Sequence, residues 1–353
     1  MRPQGRSAVL AALSYLLAVA ATGSLASAAP ERGSAPGVTS AARALEKENP
    51  ACEPDSPRAT PLQIWVLPEA GPAPFVQALS EARRSIKITI YQMGEGPILE
   101  MLERKARSGV RVQVIFDGAQ SSFNHPAFDR LHEAGARVHW SSPEFYFTHA
   151  KTMILDDSVA LIATANYDDA YTATNRDYIV RDADPDDVAV LKRLFEADWE
   201  ERSPHIRCTR LLIAPINART RLLDLIDSAT RTLDIETTQL ADDDVRRAVL
   251  ERAESGVAVR VILADPSWIE ANHDAAAFLE RHGIPVKFLQ NPGVHAKAIV
   301  VDDRRAYLGS VNLTYTSISK NREIGLITRE RPVLDAMSKT FAGDWAKAVA
   351  VSY

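Results

Sequence analysis

Cysteine is scarce in this chain of 353 residues: only Cys52 and Cys208 are present. Two are too few for a disulfide scaffold, and without a Cys-x-x-Cys pair there is no thiolate set for a structural metal. No cofactor or metal is expected. Long basic runs and basic stretches interleaved with aromatics are missing too, which removes the usual footprint of a nucleic-acid-coating surface. Past residue 21 no apolar run approaches the ~20 residues that a membrane-spanning helix needs. What remains is ordinary: 46% hydrophobic, 25% charged, 16 Gly and 20 Pro. Such values exclude collagen-like, coiled-coil and wholly disordered chains, and the length accommodates two domains or one large one.

The first 28 residues are set apart by their pattern. Arg2 and Arg6 give a positive start, residues 8–21 are apolar but for Ser14, and Ala26-Ser27-Ala28 offers a small-residue cleavage site. This predicts a secretory signal peptide, the apolar run being too short for a membrane anchor. An exported chain, periplasmic or extracellular, is therefore expected. Without the leader it carries 39 basic against 46 acidic residues, net −7, so no overall field draws it to phosphate polymers. After export Cys52 and Cys208 meet an oxidising compartment and could pair, tying an N-terminal arm to the join between two halves. Residues 29–60, rich in Ala, Pro, Ser and Glu without periodicity, read as that flexible arm.

The rest repeats itself. SIKITIYQM (85–93) answers to TLDIETTQL (232–240), and SGVRVQVIFD (108–117) to SGVAVRVILA (255–264), both at an offset of 147. Further on the offset is 146. It pairs His149 with His295, Lys151 with Lys297, Asp156 with Asp302, Asn166 with Asn312, and Asp177 with Glu323. The Phe195–Trp199 segment answers to Phe341–Trp345 in the same way. Each copy alternates apolar strands such as LQIWVL, IKITIYQM and VRVQVIFD with helical stretches that end at Gly109 or Gly135. That alternation predicts an α/β fold: two halves, 61–205 and 206–353, each a mostly buried mixed β-sheet flanked by helices. The halves would be related by a pseudo-twofold axis within a monomer, with a site at the seam.

The chemistry sits in His149-x-Lys151-x4-Asp156 and His295-x-Lys297-x4-Asp302, followed by Asn166 and by Gly309-Ser310-x-Asn312. Residues i and i+2 of a strand share a face, so each His projects beside its Lys. Imidazole, ammonium and amide supplied twice suit the grip of a phosphodiester from two matching sides. One imidazole can attack phosphorus while the other protonates the leaving alkoxide, and lysines and amides neutralise the non-bridging oxygens without a metal.

The paired motifs resemble the phospholipase D superfamily, whose signature is HxKxxxxD with a following GSxN in two copies. The likeness spans residues 61–353, with one departure: Ala163-Thr164 stands where the second copy has Gly-Ser. The resemblance implies that His149 is the nucleophile, forming a phosphohistidine, and that His295 is the general acid and then the base. The residues alone leave open which of the two attacks. It further implies that Lys151, Lys297, Asn166 and Asn312, with the Ser310 and Thr164 hydroxyls, bind phosphate. Asp177 and Glu323 would each hold a catalytic imidazole by its other nitrogen, while Asp156 and Asp302 serve structure. The remaining histidines, His125, His132, His139, His205, His273 and His282, have no counterpart across the repeat and are left as structural or surface groups.

Substrate is less legible, because the superfamily includes lipid hydrolases, cardiolipin-type synthases and nucleases. Phe145, Tyr146 and Phe147, with Trp140 upstream, precede His149, whereas only Gly293-Val294 precedes His295. A one-sided aromatic wall is expected, suited to a lipid interface, to base stacking or to its own packing. Arg176 and Arg322 either add positive potential or pair with acids. Acidity and the missing basic runs favour phospholipid, with nucleic acid as the alternative substrate. The expected function is an exported hydrolase that releases phosphatidic acid and a head-group alcohol, with some transfer to other alcohols. A catalytically silent phosphate-binding module is the remaining alternative.

Overall fold

The computed structural model describes residues 52–206 and 208–350. The expected signal peptide, and residues 29–51 of the expected arm, lie outside them. The first half runs β1 (Gln63–Leu67), α1 (Ala73–Glu81), β2 (Ser85–Ile90), α2 (Pro97–Arg107), β3 (Arg111–Phe116) and α3 (Ser121–Glu133). It continues through β4 (Arg137–Trp140), β5 (Lys151–Leu155), β6 (Val159–Ala163), α4 (Asp169–Thr174), β7 (Asn175–Asp182) and α5 (Pro185–Trp199). The second half opens with β8 (Leu211–Ala214), α6 (Ala218–Asp227), β9 (Thr232–Thr237), α7 (Asp243–Glu254), β10 (Ala258–Ala264), α8 (Asn272–Arg281) and β11 (Val286–Leu289). It closes with β12 (Gly293–Val294), β13 (Lys297–Val301), β14 (Arg305–Gly309), α9 (Tyr315–Ser319), β15 (Glu323–Thr328), α10 (Arg331–Lys347) and β16 (Val349–Ala350).

Each half builds one sheet with the same strand order. The first runs β1-β7-β6-β5-β2-β3-β4 and the second β8-β15-β14-β13-β9-β10-β11, with β16 added at the far edge. Strands β2, β3 and β4 are parallel, as are β9, β10 and β11; β5, β6 and β7 and their counterparts are antiparallel. SIKITI and KTMIL are buried along their whole length, as strands covered on both faces must be, which explains their near-continuous apolar reading. Helix α2 starts on Pro97 and stops before Gly109, whose φ of +90° is a left-handed exit that glycine adopts without strain. Each half has its own core, around Phe75, Ile88, Val114 and Met153 in the first and Leu222, Ile235, Val261 and Ile299 in the second. Helix α3 begins at Ser121. Asn124 anchors its first turn, accepting from the Met93 N–H at 3.0 Å and donating to the Tyr91 carbonyl at 2.8 Å.

The halves exchange parts. Strand β12 of the second half pairs in parallel with the start of β7, Gly293 against Asn175 and Val294 against Arg176. Thr148 bridges Arg322 in the reciprocal place. Arg176 and Arg322, left between two readings by the sequence, both pair with acids of the opposite half's closing helix: Arg176 with Asp344, and Arg322 with Asp198 at 3.0 Å. Each guanidinium also donates to a carbonyl, of Leu67 and Ala214 respectively.

Residues 52–60 are a correction to the flexible-arm reading. Cys52 is disulfide-bonded to Cys208 across 156 residues of chain. Asp55 binds Arg305 at 2.7 Å and Arg329 at 2.6 Å, and Arg58 binds Asp187 at 2.8 Å. Composition marked these residues as a flexible arm, yet Asp55 and Arg58 are themselves buried against partners far along the chain.

Breaking a buried ion pair from one side leaves an uncompensated charge, so Arg176→Met should lower unfolding free energy by about 3–5 kcal/mol. Adding Asp344→Leu should recover much of that loss. Chemical denaturation with the disulfide intact measures both.

Candidate active site

His149 and His295 stand just before β5 and β13, where the chain leaves one half to touch the other. The His149 N–H donates to the Arg322 carbonyl at 2.9 Å, and the His295 N–H to the Arg176 carbonyl at 3.1 Å. The next residue on each of those opposite strands is the acid. His149 Nδ1 meets Glu323 Oε2 at 2.8 Å, and His295 Nδ1 meets Asp177 Oδ1 at 3.0 Å and Oδ2 at 3.2 Å. The carboxylates are thus crossed: each half orients the imidazole of the other. With Nδ1 donating to a carboxylate, Nε2 is the nitrogen left for chemistry.

The lysines follow two residues on, and each ammonium donates to the carbonyl of its own His. Both are buried, as are the two imidazoles. Lys151 feels Glu323, Lys297 and Asp177, and Lys297 feels Asp177 and Glu323, so the two sets share one electrostatic site. Asn166 is buried and donates from Nδ2 to Gln92 Oε1 at 3.2 Å, leaving its Oδ1 without a partner; Asn312 Oδ1 is likewise unpartnered. These oxygens only accept; an amide nitrogen carries two protons, and Asn166 Nδ2 gives one to Gln92 and keeps a second for a phosphate oxygen.

Ser310 and Thr164 require correction. The Thr164 hydroxyl donates to Asp177 and accepts from the Tyr178 N–H at 2.8 Å. Ser310 accepts from the Ile324 N–H at 3.0 Å and lies on the Ile324 carbonyl at 3.2 Å and beside Glu323. A hydroxyl has a single proton, and here it is committed inside the protein. Thr164 thus supports Asp177, and Ser310 holds the Ile324 backbone beside Glu323, in place of the phosphate contact expected of them. Asp156 and Asp302 point away from the site: their carboxylates accept the backbone N–H groups of Arg83, Arg84 and Ser85, and of Thr230, Arg231 and Thr232.

Burial dominates the electrostatics. It pushes His149 and His295 down to about 4, against the opposing pull of Glu323 and Asp177. It likewise lowers Lys297 to about 8, and Lys151 well below its usual range. Glu323, although buried, is held below the ordinary carboxyl value by His149 and Lys151.

Other residues at the site had escaped notice. Tyr91 lies edge-on to His149 at 4.5 Å, and the Lys151 ammonium sits 4.8 Å over its ring. Ser317 donates to Glu323, as does Asn321 at 3.0 Å. Asp117 accepts the Thr148 N–H at 2.6 Å. Gln92, which the sequence reading did not single out, has a counterpart in Gln239 that could have marked it; nothing in the pattern marked Tyr91 or Asp117. The aromatic wall is two-sided, contrary to expectation. Phe145 packs under Arg322 at 4.2 Å, Phe147 packs on Tyr91 at 5.5 Å, and Trp140 stacks on Phe128; of this group Tyr146 alone is largely exposed, at 52%. His295 is flanked by Tyr171 at 5.7 Å and Trp268 at 6.1 Å, both far from it in sequence. Of the unrepeated histidines, His139 stacks on Trp199 and His125 and His282 bond their own helices.

A duplicated sheet carrying crossed His–carboxylate pairs, each with its own lysine, defines a core of the phospholipase D type. The chain belongs to that superfamily: the family model described as "Cardiolipin synthase, PLD-like domain" matches residues 75–199 and 222–345. Cardiolipin synthase A of Pseudomonas putida (strain W619) is 26% identical over 315 residues, covering 77% of this chain and 65% of that protein. The cardiolipin synthase of Oceanobacillus iheyensis is 24% identical over 321 residues, covering 78% and 66%. The chain thus spans just under two thirds of these curated relatives. Among solved structures, phosphatidylserine synthase of Haemophilus influenzae Rd KW20 superposes with a TM-score of 0.69 at 13% identity, covering 82% of this chain and 87% of that one. Polyphosphate kinase of Porphyromonas gingivalis gives 0.67 at 18%, covering 92% and 52%. At such identities these two likenesses speak to fold.

Two imidazoles with folded pKa values near 4, against an ordinary 6.5, bind fewer protons folded than unfolded between those limits. Their contribution to stability is whole above pH 6.5 and is lost as pH falls toward 4. Unfolding free energy measured across that window should decline with falling pH, and the decline should flatten in the His149→Asn/His295→Asn variant.

Proposed function

We propose that this protein is an exported phospholipase D-type phosphodiesterase that cleaves the head-group ester of glycerophospholipids. The crossed His149–Glu323 and His295–Asp177 pairs, each beside a buried lysine, carry this reading. His149 Nε2 attacks phosphorus and the P–O bond to the head group breaks. The leaving oxygen takes the proton of His295 Nε2, giving a phosphatidyl-histidine and a free alcohol. His295 then takes a proton from water, whose oxygen displaces His149 and yields phosphatidic acid. An alcohol in place of water gives transfer. Lys151, Lys297 and the Asn166 and Asn312 amides hold the non-bridging oxygens as their charge grows.

The supporting shells favour His149 as nucleophile. Glu323 shares its charge among Ser317, Asn321 and His149. Asp177 turns both oxygens to His295 and receives Thr164 besides. The less divided carboxylate better stabilises an imidazolium, which is the form a general acid requires.

Phospholipid is favoured by three observations. The matching curated relatives are cardiolipin synthases. Tyr146 and Tyr315 are exposed, and Lys320 and Arg219 lie 6.0 and 5.8 Å over the Tyr315 ring, as suits a lipid–water boundary. Long basic tracts are absent from the sequence. Among the described residues no helix is long and apolar enough to cross a membrane, so contact with lipid would be made at the surface. Export is supported by the Cys52–Cys208 bridge, a bond at home in oxidising compartments.

Purified protein incubated with mixed phospholipid vesicles, or with single- and double-stranded DNA, under excess chelator should release head-group alcohol and leave DNA intact. Nicked DNA with untouched lipid would make it a nuclease, and no turnover of either would favour a binding module. Added glycerol separates transfer from hydrolysis. His149→Asn and His295→Asn should each lower turnover by about 10²–10⁴-fold; near-normal activity in either would refute the two-histidine mechanism.

A further inference from the structure

The internal repeat supplies its own control for how each catalytic histidine is held. In the second half the residue before His295 is Val294, and its backbone lies in the β12–β7 ladder, Val294 against Arg176. In the first half the equivalent residue is Thr148, which makes an isolated bridge to Arg322 and no strand. Its N–H turns instead to Asp117 Oδ1 at 2.6 Å. The position equivalent to Asp117 in the second copy is Ala264, which can make no such bond. The two copies therefore meet one requirement by different means, and only the first uses a carboxylate.

Asp117 is firmly placed. It follows the C-terminal end of β3, is 1% exposed, and donates its own N–H to the Ile90 carbonyl at 3.0 Å. Its other carboxylate oxygen accepts the Gln120 N–H at 3.1 Å. Burial raises its pKa to about 7, opposed by the Thr148 and Gln120 amides and by the charge of Lys151. The carboxylate thus touches the backbone one residue from His149 and lies within electrostatic reach of Lys151, while β10 offers nothing comparable to His295 and Lys297.

We propose that Asp117 is a positioning residue: by fixing the Thr148 amide it fixes the His149 ring, and it makes two imidazoles that the repeat would leave equivalent unequal. The step it would affect, attack by His149, rests on the function proposed above. The competing account is a turn cap, since Asp117 also caps the short turn Gly118–Gln120. A serine can still cap such a turn, but its oxygen is one bond closer to the backbone and gives up the reach to Thr148.

The test uses the full chain, disulfide intact and ¹⁵N-labelled at histidine, as Asp117→Ser, Asp117→Asn and Asp117→Ala. Ring-nitrogen shifts of His149 and His295 are read by NMR, and kcat and KM on phospholipid vesicles in parallel. The serine and alanine variants should move the His149 ring signals and leave those of His295 in place, with kcat down about 10²-fold and KM little changed. Asparagine, which keeps an acceptor at the same reach, should restore both. Unmoved His149 signals, equal movement of both rings, or no rescue by asparagine would overturn the proposal. If the alanine variant does not fold, the serine and asparagine pair decides. If the unmodified protein turns over no phospholipid, the proposed function fails, and the ring signals still decide whether Asp117 positions His149.

Discussion

Everything at this site depends on one exchange: the carboxylate that orients each imidazole comes from the opposite half. A half folded alone would present a His and a Lys, with the acid of its own β7 or β15 aimed elsewhere. Two facing halves are therefore required by the geometry, and the seam must be held to within fractions of an ångström for two N–H···O bonds to persist. The fold holds it with matched devices on both sides of the axis. A backbone N–H of each His pairs with the opposite strand, and the arginine beside each carboxylate locks onto the other half's closing helix. Arg176–Asp177 and Arg322–Glu323 are thus neighbouring residues with complementary tasks, one gripping the partner half and one serving its histidine.

The fold and the identity of the site were largely legible because the chain states them twice. Apolar period, helix stops and the HxK spacing recur at a nearly constant offset, and a pattern repeated at one offset filters out residues that merely pack. The same filter explains the omissions. Asp117, Tyr91, Tyr171 and Trp268 occupy positions where the copies differ, so the repeat conceals them. The crossing of the carboxylates was also out of reach, because spacing along one copy says nothing about which copy a side chain meets. Thr164 and Ser310 were misread for a related reason. Their motif places them beside a phosphate-binding site, but a hydroxyl has a single proton: that of Thr164 goes to Asp177, 13 residues on, and that of Ser310 to the Ile324 carbonyl beside Glu323. The arm failed by composition: Asp55 and Arg58 look like solvated charges until the partners that bury them are known.

Departures from symmetry are therefore informative where the symmetric parts are not. The proposed reaction, with attack on one side and protonation on the other, gives the two halves different tasks, and a standing bias between them would fix which half takes which. The bias is visible in the donors gathered on Glu323 as against Asp177, in Tyr91 and Asp117 on the His149 side, and in Tyr171 and Trp268 on the His295 side.

The charge balance among the site's own side chains connects this asymmetry to the proposed catalysis. Taken by themselves, Lys151 and Lys297 offset Asp177 and Glu323 in charge, and burial disfavours a proton on either imidazole. An arriving phosphodiester anion would leave the seam one negative charge in excess in a poorly solvated place. The least costly remedy is a proton on whichever imidazole faces the more available carboxylate, which is His295. On the proposed reading the substrate itself thus raises the pKa of the general acid, and the second imidazole, screened by a carboxylate already shared among other donors, stays neutral and nucleophilic. One anion binding between two nearly equal histidines is then sufficient to make them different.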